Sequence, residues 1–150
     1  PGDDIGSTGV TIDDWGRVYL AWENWDTNEI LFSERSPGGV WSANEQIRDT
    51  TTGSTWAIKI AVDGVGDVHA VWEDGRSGER AYAADRPVHG PWSVNVRLDE
   101  ASGDVWSPGL GIDGAGNVIA AWSEGAQVFG AVRYLGSDWG PNELFGSAPT

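Results

Sequence analysis

The chain has 150 residues and a mass of 16.0 kDa, with 9 basic against 23 acidic residues for a net charge of −14. A surface this acidic repels phosphate, so nucleic acid and anionic membranes are poor partners, and neither nucleic-acid binding nor membrane insertion is expected. With no Cys there is no disulfide framework, thiolate metal site or Cys nucleophile, and no apolar run approaches the ~20 residues that span a bilayer.

The sequence opens on Pro1 without Met and without a basic-then-apolar leader, so it is expected to be a processed or excised segment. Its first pattern runs Thr11-Ile12-Asp13-Asp14-Trp15-Gly16-Arg17-Val18-Tyr19-Leu20-Ala21-Trp22-Glu23. Arg35 and Trp41 follow six residues apart, and then Asn44. The pattern returns 50 residues on, from Ala61 to Glu73, and is followed again by Arg86, Trp92 and Asn95. It returns once more from Gly111 to Ser123, followed by Arg133, Trp139 and Asn142. The chain is three copies of one unit, 1–50, 51–100 and 101–150, with no separate domains.

Each unit reads as four short strands, A to D. In the second copy these are about Ala57 to Val62, Asp67 to Trp72, Arg80 to Asp85 and Trp92 to Leu98. The runs are rich in β-branched and aromatic residues and are bounded by Gly, Asp and Pro. The A–B connection is Asp-x-x-Gly in every copy, ending on Gly16, Gly66 and Gly116. Asp suits the first position of a type I turn, and Gly the left-handed position after it. No helical period of useful length appears. Four-stranded units at this period predict an all-β fold of β-propeller blades.

The run Ile60-Ala61-Val62-Asp63-x-x-Gly66-Asp67-Val68-His69-Ala70-Val71-Trp72-Glu73-Asp74-x-Arg76 resembles the sialidase-like propellers with bacterial neuraminidase, or Asp-box, repeats. The likeness covers essentially the whole chain. The box itself is degenerate: Ser36-Pro37-Gly38-Gly39-Val40-Trp41 keeps the Trp and lacks the Asp. The other copies keep only Trp92 and Trp139. The resemblance implies blades of a ring that usually has six. It also implies, for the family's enzymes, an arginine cluster, a Tyr activated by a Glu, and an acid/base Asp. Arg17, Arg48, Arg76, Arg80 and Arg97 are present, as are Tyr19, Tyr82 and Tyr134, but the early Arg-Ile-Pro motif is missing. No catalytic residue is assigned.

Loop lengths point to one face. The A–B and C–D connections are constant, whereas Trp22 to Arg35, Trp72 to Arg86 and Trp122 to Arg133 span 13, 14 and 11 residues. The D-to-A connection also varies. In an up-and-down blade these variable loops share one side, where binding is expected. Eight of the ten Trp recur and are expected to pack: Trp22, Trp72 and Trp122 ending strand B, Trp41, Trp92 and Trp139 opening strand D, and Trp56 and Trp106 before strand A. Arg35, Arg86 and Arg133 recur too, and are expected to pair with an acid or stack on the neighbouring Trp. Trp15 and Trp25 occur once. Trp25, with Asp26 and Asn28 beside it, suits a sugar, because an indole stacks on C–H groups while polar neighbours bond hydroxyls. Asp74 and Arg76 occupy the matching loop of the second copy and complete the candidate site.

Carboxylates such as Glu23, Glu73 and Glu124 raise the possibility of a paired-acid glycosidase, but 23 acids guarantee accidental pairs. Asp63-Gly64-Val65-Gly66-Asp67 lacks the ligand density of a calcium loop, and His69 and His89 stand without ligand spacing. No metal and no cofactor is expected. Three blades form an incomplete ring, so the expected partners are further blades of a longer parent chain or a homo-oligomer, two copies giving six blades. The expected role is a non-catalytic module of a secreted or cell-surface prokaryotic protein, binding carbohydrate or protein. The alternatives are a fragment of a sialidase-type hydrolase or a structural subunit of a surface assembly.

Overall fold

The computed structural model describes residues 4–148. Their strands are β1 (Ile5–Ile12), β2 (Val18–Asn24), β3 (Glu29–Arg35), β4 (Glu45–Gln46), β5 (Thr55–Val62), β6 (Val68–Asp74), β7 (Arg80–Arg86), β8 (Val96–Arg97), β9 (Val105–Ile112), β10 (Val118–Glu124), β11 (Gln127–Arg133) and β12 (Glu143–Ser147). They form three four-stranded antiparallel sheets, β1–β4, β5–β8 and β9–β12, each a meander in chain order. The described residues contain no helix. Each sheet lies within one 50-residue repeat; the outermost residues of the first and third repeats lie outside the described residues.

The hairpin between the first two strands of each sheet is built by its Asp. Asp13 Oδ1 accepts the N–H groups of Trp15 and Arg17, and the Gly16 N–H donates to the Asp13 carbonyl at 3.0 Å. Asp63 Oδ1 accepts from Val65, Gly66 and Asp67, and Asp113 Oδ1 from Ala115 and Asn117. Gly16, Gly66 and Gly116 take φ of 80°, 97° and 81°, which a β-carbon would strain. One short side chain and one glycine therefore set the register in which each first hairpin starts.

The fourth strands are shorter than the sequence suggests. In the first two sheets they have two residues each, and Trp41, Trp92 and Trp139 precede them instead of opening them. A serine hydroxyl interrupts the ladder. The Ser42 N–H donates to the Glu34 carbonyl, and Ser42 Oγ then takes the Glu34 N–H at 3.1 Å. Ser93 repeats this against Asp85.

A sheet with apolar side chains on both faces must be covered twice. The first core lies between sheets one and two, with Tyr19, Ile30 and Phe32 from one and Ile58, Ile60, Val68 and Trp72 from the other. The second joins Val71, Ala81 and Leu98 to Val105, Ala120 and Trp122. β1 lies against β5, and β5 against β9, so the first strands of successive sheets are neighbours.

The recurring polar residues tie each sheet to the one before it. Arg86 makes a two-pronged pair with Glu45, at 3.0 and 2.9 Å, and lies over the Phe32 ring. Trp92 meets Phe32 edge-on at 5.2 Å. Asn95 donates to the Ile47 carbonyl and accepts the Asp49 N–H, and Asn142 is placed to make the same pair with Leu98 and Glu100. Arg133 pairs with Asp85 and lies over Trp139. Trp72 and Trp122 are buried, Trp22 and Trp56 are half-buried, and Trp92 and Trp139 pack half-buried on the two cores. Trp41 departs from the expected packing and is 43% exposed, because no described residue supplies a sheet ahead of the first. Arg35 lies over it at 5.1 Å. Trp106 is 47% exposed on the loop side of β9.

Trp122→Ala is expected to cost about 3–5 kcal/mol in urea unfolding, the range for truncating a buried indole. Trp15→Ala, at an exposed turn, is expected to stay within about 0.5 kcal/mol of the parent. Equal losses would show that the cores do not carry the stability.

Candidate functional site

The loop after β2 begins with a buried amide. Asn24 Oδ1 accepts the N–H groups of Asp26 and Thr27 at 3.1 and 3.2 Å, which closes the 25–28 turn. The turn ends at Asn28 with φ of 56°, a left-handed conformation that Asn tolerates better than most residues. The Trp25 N–H donates to the Asp4 carbonyl, and Asp26 Oδ2 takes the Asp4 N–H at 3.0 Å. Both bonds tie the turn to the start of β1.

Opposite stands the start of β5. The β5–β6 register shifts between Trp56 and Lys59, and Ala57 in that bulge has φ of 59°. Bulges re-aim side chains, and this one follows Trp56. Trp25, Asn28, Ser54 and Trp56 line a cleft of about 280 Å³ between the first and second sheets. Two indoles, an amide and a hydroxyl thus meet in one recess on the side of the variable loops.

One buried ion pair fixes both walls. Arg48 is 1% exposed; its Nε and Nη2 donate to Asp74 at 2.9 Å each. Its Nη1 donates to the carbonyls of Asn28 and Gly53, and Nη2 also reaches that of Thr52. Asn28 belongs to one wall, and Gly53 precedes Ser54 in the other. Asp74 accepts as well from Trp72 Nε1 at 2.8 Å and from the backbone and side chain of Arg76. Burial opposes its ionisation, but the bonds from Arg76, Arg48 and Trp72 outweigh that and hold the carboxyl well below the ordinary range.

The five residues proposed from sequence divide accordingly. Trp25 and Asn28 line the cleft. Asp26 holds the turn to β1. Asp74 is fully buried with its oxygens committed, so it acts on the cleft only through Arg48. Arg76 is spent on Asp74, Asp49 and Asn95 and lies 4.3 Å over the Tyr82 ring.

Trp56 and Ser54 are the lining residues that sequence reasoning missed. The signal was an exchange between repeats. A β-carbon at Gly6 would collide with the Trp25 indole, while one at Gly75 would lie 3.2 Å from Trp56. Gly6 matches Trp56 in register, and Trp25 matches Gly75. Each of these two sheets therefore holds one indole at this place, from the loop in the first and from the strand in the second. In the third sheet Trp106 stands with Gly125.

The strand-end acids are engaged elsewhere. Glu23 accepts the Ile58 and Ser7 N–H groups, and Glu73 accepts that of Ser107. Burial pushes the Glu73 carboxyl up, with the Ser107 bond opposing and nearby acids adding to the rise. On the opposite side of the molecule His69 sits buried between Asp85 at 2.7 Å and Asp63 at 3.6 Å, with Arg133 beside it. Among the described residues no group of three or more His, Asp or Glu is placed to hold a metal ion. No protein-family model matches the chain, and no curated protein sequence matches it.

Asp74→Ala strands Arg48 in the interior, and the expected cost is about 3–5 kcal/mol in urea unfolding at neutral pH. Because the folded carboxyl is held low, its contribution is complete above about pH 4 and is lost as pH falls below that. The variant should therefore show a shallower acid limb than the parent. Parallel acid limbs would contradict the assignment.

Proposed function

We propose that the chain is a non-catalytic β-propeller module of a secreted or cell-surface protein that binds neutral carbohydrate in the cleft between its first two blades. The observation that carries this is the recess lined by Trp25, Trp56, Asn28 and Ser54. Two indoles supply apolar faces for sugar C–H groups, and the amide and hydroxyl supply hydrogen bonds for ring hydroxyls. The volume lies at the small end of ligand clefts, which suits a small ligand or the end unit of a longer chain. Support for the propeller comes from three successive four-stranded meanders whose first strands are neighbours.

A neutral ligand is favoured over a sialylated one by the disposition of charge. The arginines nearest the cleft, Arg48 and Arg76, are fully engaged with carboxylates and carbonyls. Among the described residues no cationic side chain lines the recess to meet a sugar carboxylate, and the net charge of −14 repels one. The absence of catalysis is supported by Glu23 and Glu73, whose carboxylates hold backbone N–H groups.

A glycan array should show binding to neutral glycans and weaker binding to their sialylated counterparts. Trp25→Ala and Trp56→Ala should each weaken binding at least tenfold, about 1.4 kcal/mol, and Trp15→Ala should leave it unchanged. No turnover of fluorogenic sialosides is expected. A chain that binds no glycan, or binds equally without Trp25, would overturn the carbohydrate reading.

A further inference from the structure

We propose that two copies of this chain associate head to tail, the outer face of the third sheet of each covering the outer face of the first sheet of the other. The inference comes from the internal joint between sheets one and two, both halves of which recur on the two uncovered faces. It does not depend on the ligand of the cleft.

Three residues of the second sheet make its half of that joint: Ile60, Trp92 and Arg86. Val10 and Arg35 are the register equivalents of Ile60 and Arg86 in the first sheet, and Trp41, six residues after Arg35, is the equivalent of Trp92. Ile60 is 8% exposed and Val10 67%. Arg86 is bound to Glu45, whereas Arg35 has no carboxylate partner among the described residues and only overlies Trp41. The first sheet thus carries a complete but unused half-joint.

The other half belongs to the first sheet's inner face: Ile30, Phe32 and Glu45. Its equivalents lie on the outer face of the third sheet. Val128 pairs with Ser123 as Ile30 pairs with Glu23, and it is 43% exposed where Ile30 is fully buried. Glu143 pairs with Gly130 as Glu45 pairs with Phe32, and it is exposed and makes no ion pair among the described residues. The ring is supplied from a different residue. Gly130 stands in the register place of Phe32, and a β-carbon there would collide with the Phe145 ring, which covers the position from β12. An aromatic ring, an aliphatic side chain and a carboxylate are therefore presented together, as in the internal joint.

The occupant follows from complementarity of both shape and charge. Arg35 needs a carboxylate, and Glu143 needs a cation; each is the counterpart of a partner in the Arg86–Glu45 pair. One chain carries both halves, so a second copy offers the complement of each. Two such joints related by a twofold axis would close the assembly, whereas a rotation that failed to close would give open filaments. Uncovered, the same residues leave apolar patches of the kind monomers rarely expose.

Sedimentation velocity over a concentration series tests this on the full chain. The parent should sediment at twice the 16.0 kDa monomer mass. Arg35→Glu and Glu143→Arg should each raise the dimer dissociation constant at least tenfold, because each homodimer then holds two like-charge contacts. Both residues are exposed, so unchanged circular dichroism is expected, while the unfolding midpoint loses the concentration dependence that dimerisation gives the parent. Mixing the two variants should restore dimerisation, since one joint then carries the reversed pair and the other the original pair. A parent that stays monomeric at the highest concentration overturns the proposal. So does a ladder of larger species, a dimer indifferent to either variant, or a mixture that fails to recover.

Discussion

The constraint on which the structure depends is that a four-stranded sheet with apolar side chains on both faces has to be covered on both. Within the chain the middle sheet meets it fully, packing Trp72 and Val68 toward the first sheet and Val71 and Ala83 toward the third. The outer sheets meet it on one face only. Burial alone would let neighbouring sheets slide, because hydrophobic attraction has no direction. Direction comes from polar residues at fixed places: the Arg86 fork on Glu45, the Asn95 amide bridging Ile47 and Asp49, and Arg133 on Asp85. Each bond crosses from one sheet to its predecessor, so each fixes a stacking register as well as adding stability.

The cleft is a consequence of that stacking. It opens where the loop after β2 and the start of β5 come together at a joint, and neither sheet holds it alone. Arg48 is the strut between them, gathering carbonyls from both loops while Asp74 compensates its charge in the interior. A buried pair of this kind adds little net stability. What it contributes here is geometry: it ties the carbonyl of Asn28 in one wall to that of Gly53, beside Ser54, in the other. The exchange of glycine and tryptophan between repeats acts at the same point. With the loop indole in the first sheet and the strand indole in the second, the two rings approach one recess from opposite walls.

The repeat, the hairpins and the all-β class were legible because each rests on a short-range rule. The Asp-x-x-Gly turn needs only its own residues, and a short β-branched and aromatic run such as β2 or β6 shows a strand whatever packs on it. The fourth strands were overdrawn because a serine hydroxyl, invisible to periodicity, replaces a ladder bond at Ser42 and Ser93. The roles of the tryptophans were half legible. Recurrence implied burial, which holds for Trp72 and Trp122, but burial of Trp41 requires a neighbour that recurrence cannot supply. Asp74 was drawn into the site because it sits in the right loop. Position along the chain could not show that Arg48, from the previous repeat, would enclose it. Trp56 was passed over for the converse reason: its exposure depends on the bulge at Ala57, which the sequence does not mark.

Charge is partitioned by the same stacking. The chain has eight arginines and one lysine. Arg48, Arg76, Arg86 and Arg133 are spent at joints between sheets, and Arg17 and Arg97 on acids of their own sheets. Arg80 is bound to the carbonyls of Glu79 and Gly103. With the cations drawn into joints, the remaining surface is left to carboxylates, and the net charge of −14 is expressed outward. Long-range repulsion between two such surfaces opposes association, so any self-contact must be specific enough to overcome it. That places the weight on Arg35, which among the described residues has neither a carboxylate nor a carbonyl to bind and only overlies Trp41. Arg35 stands on an uncovered apolar face, and the stacking rule that consumes the joint arginines leaves it unspent.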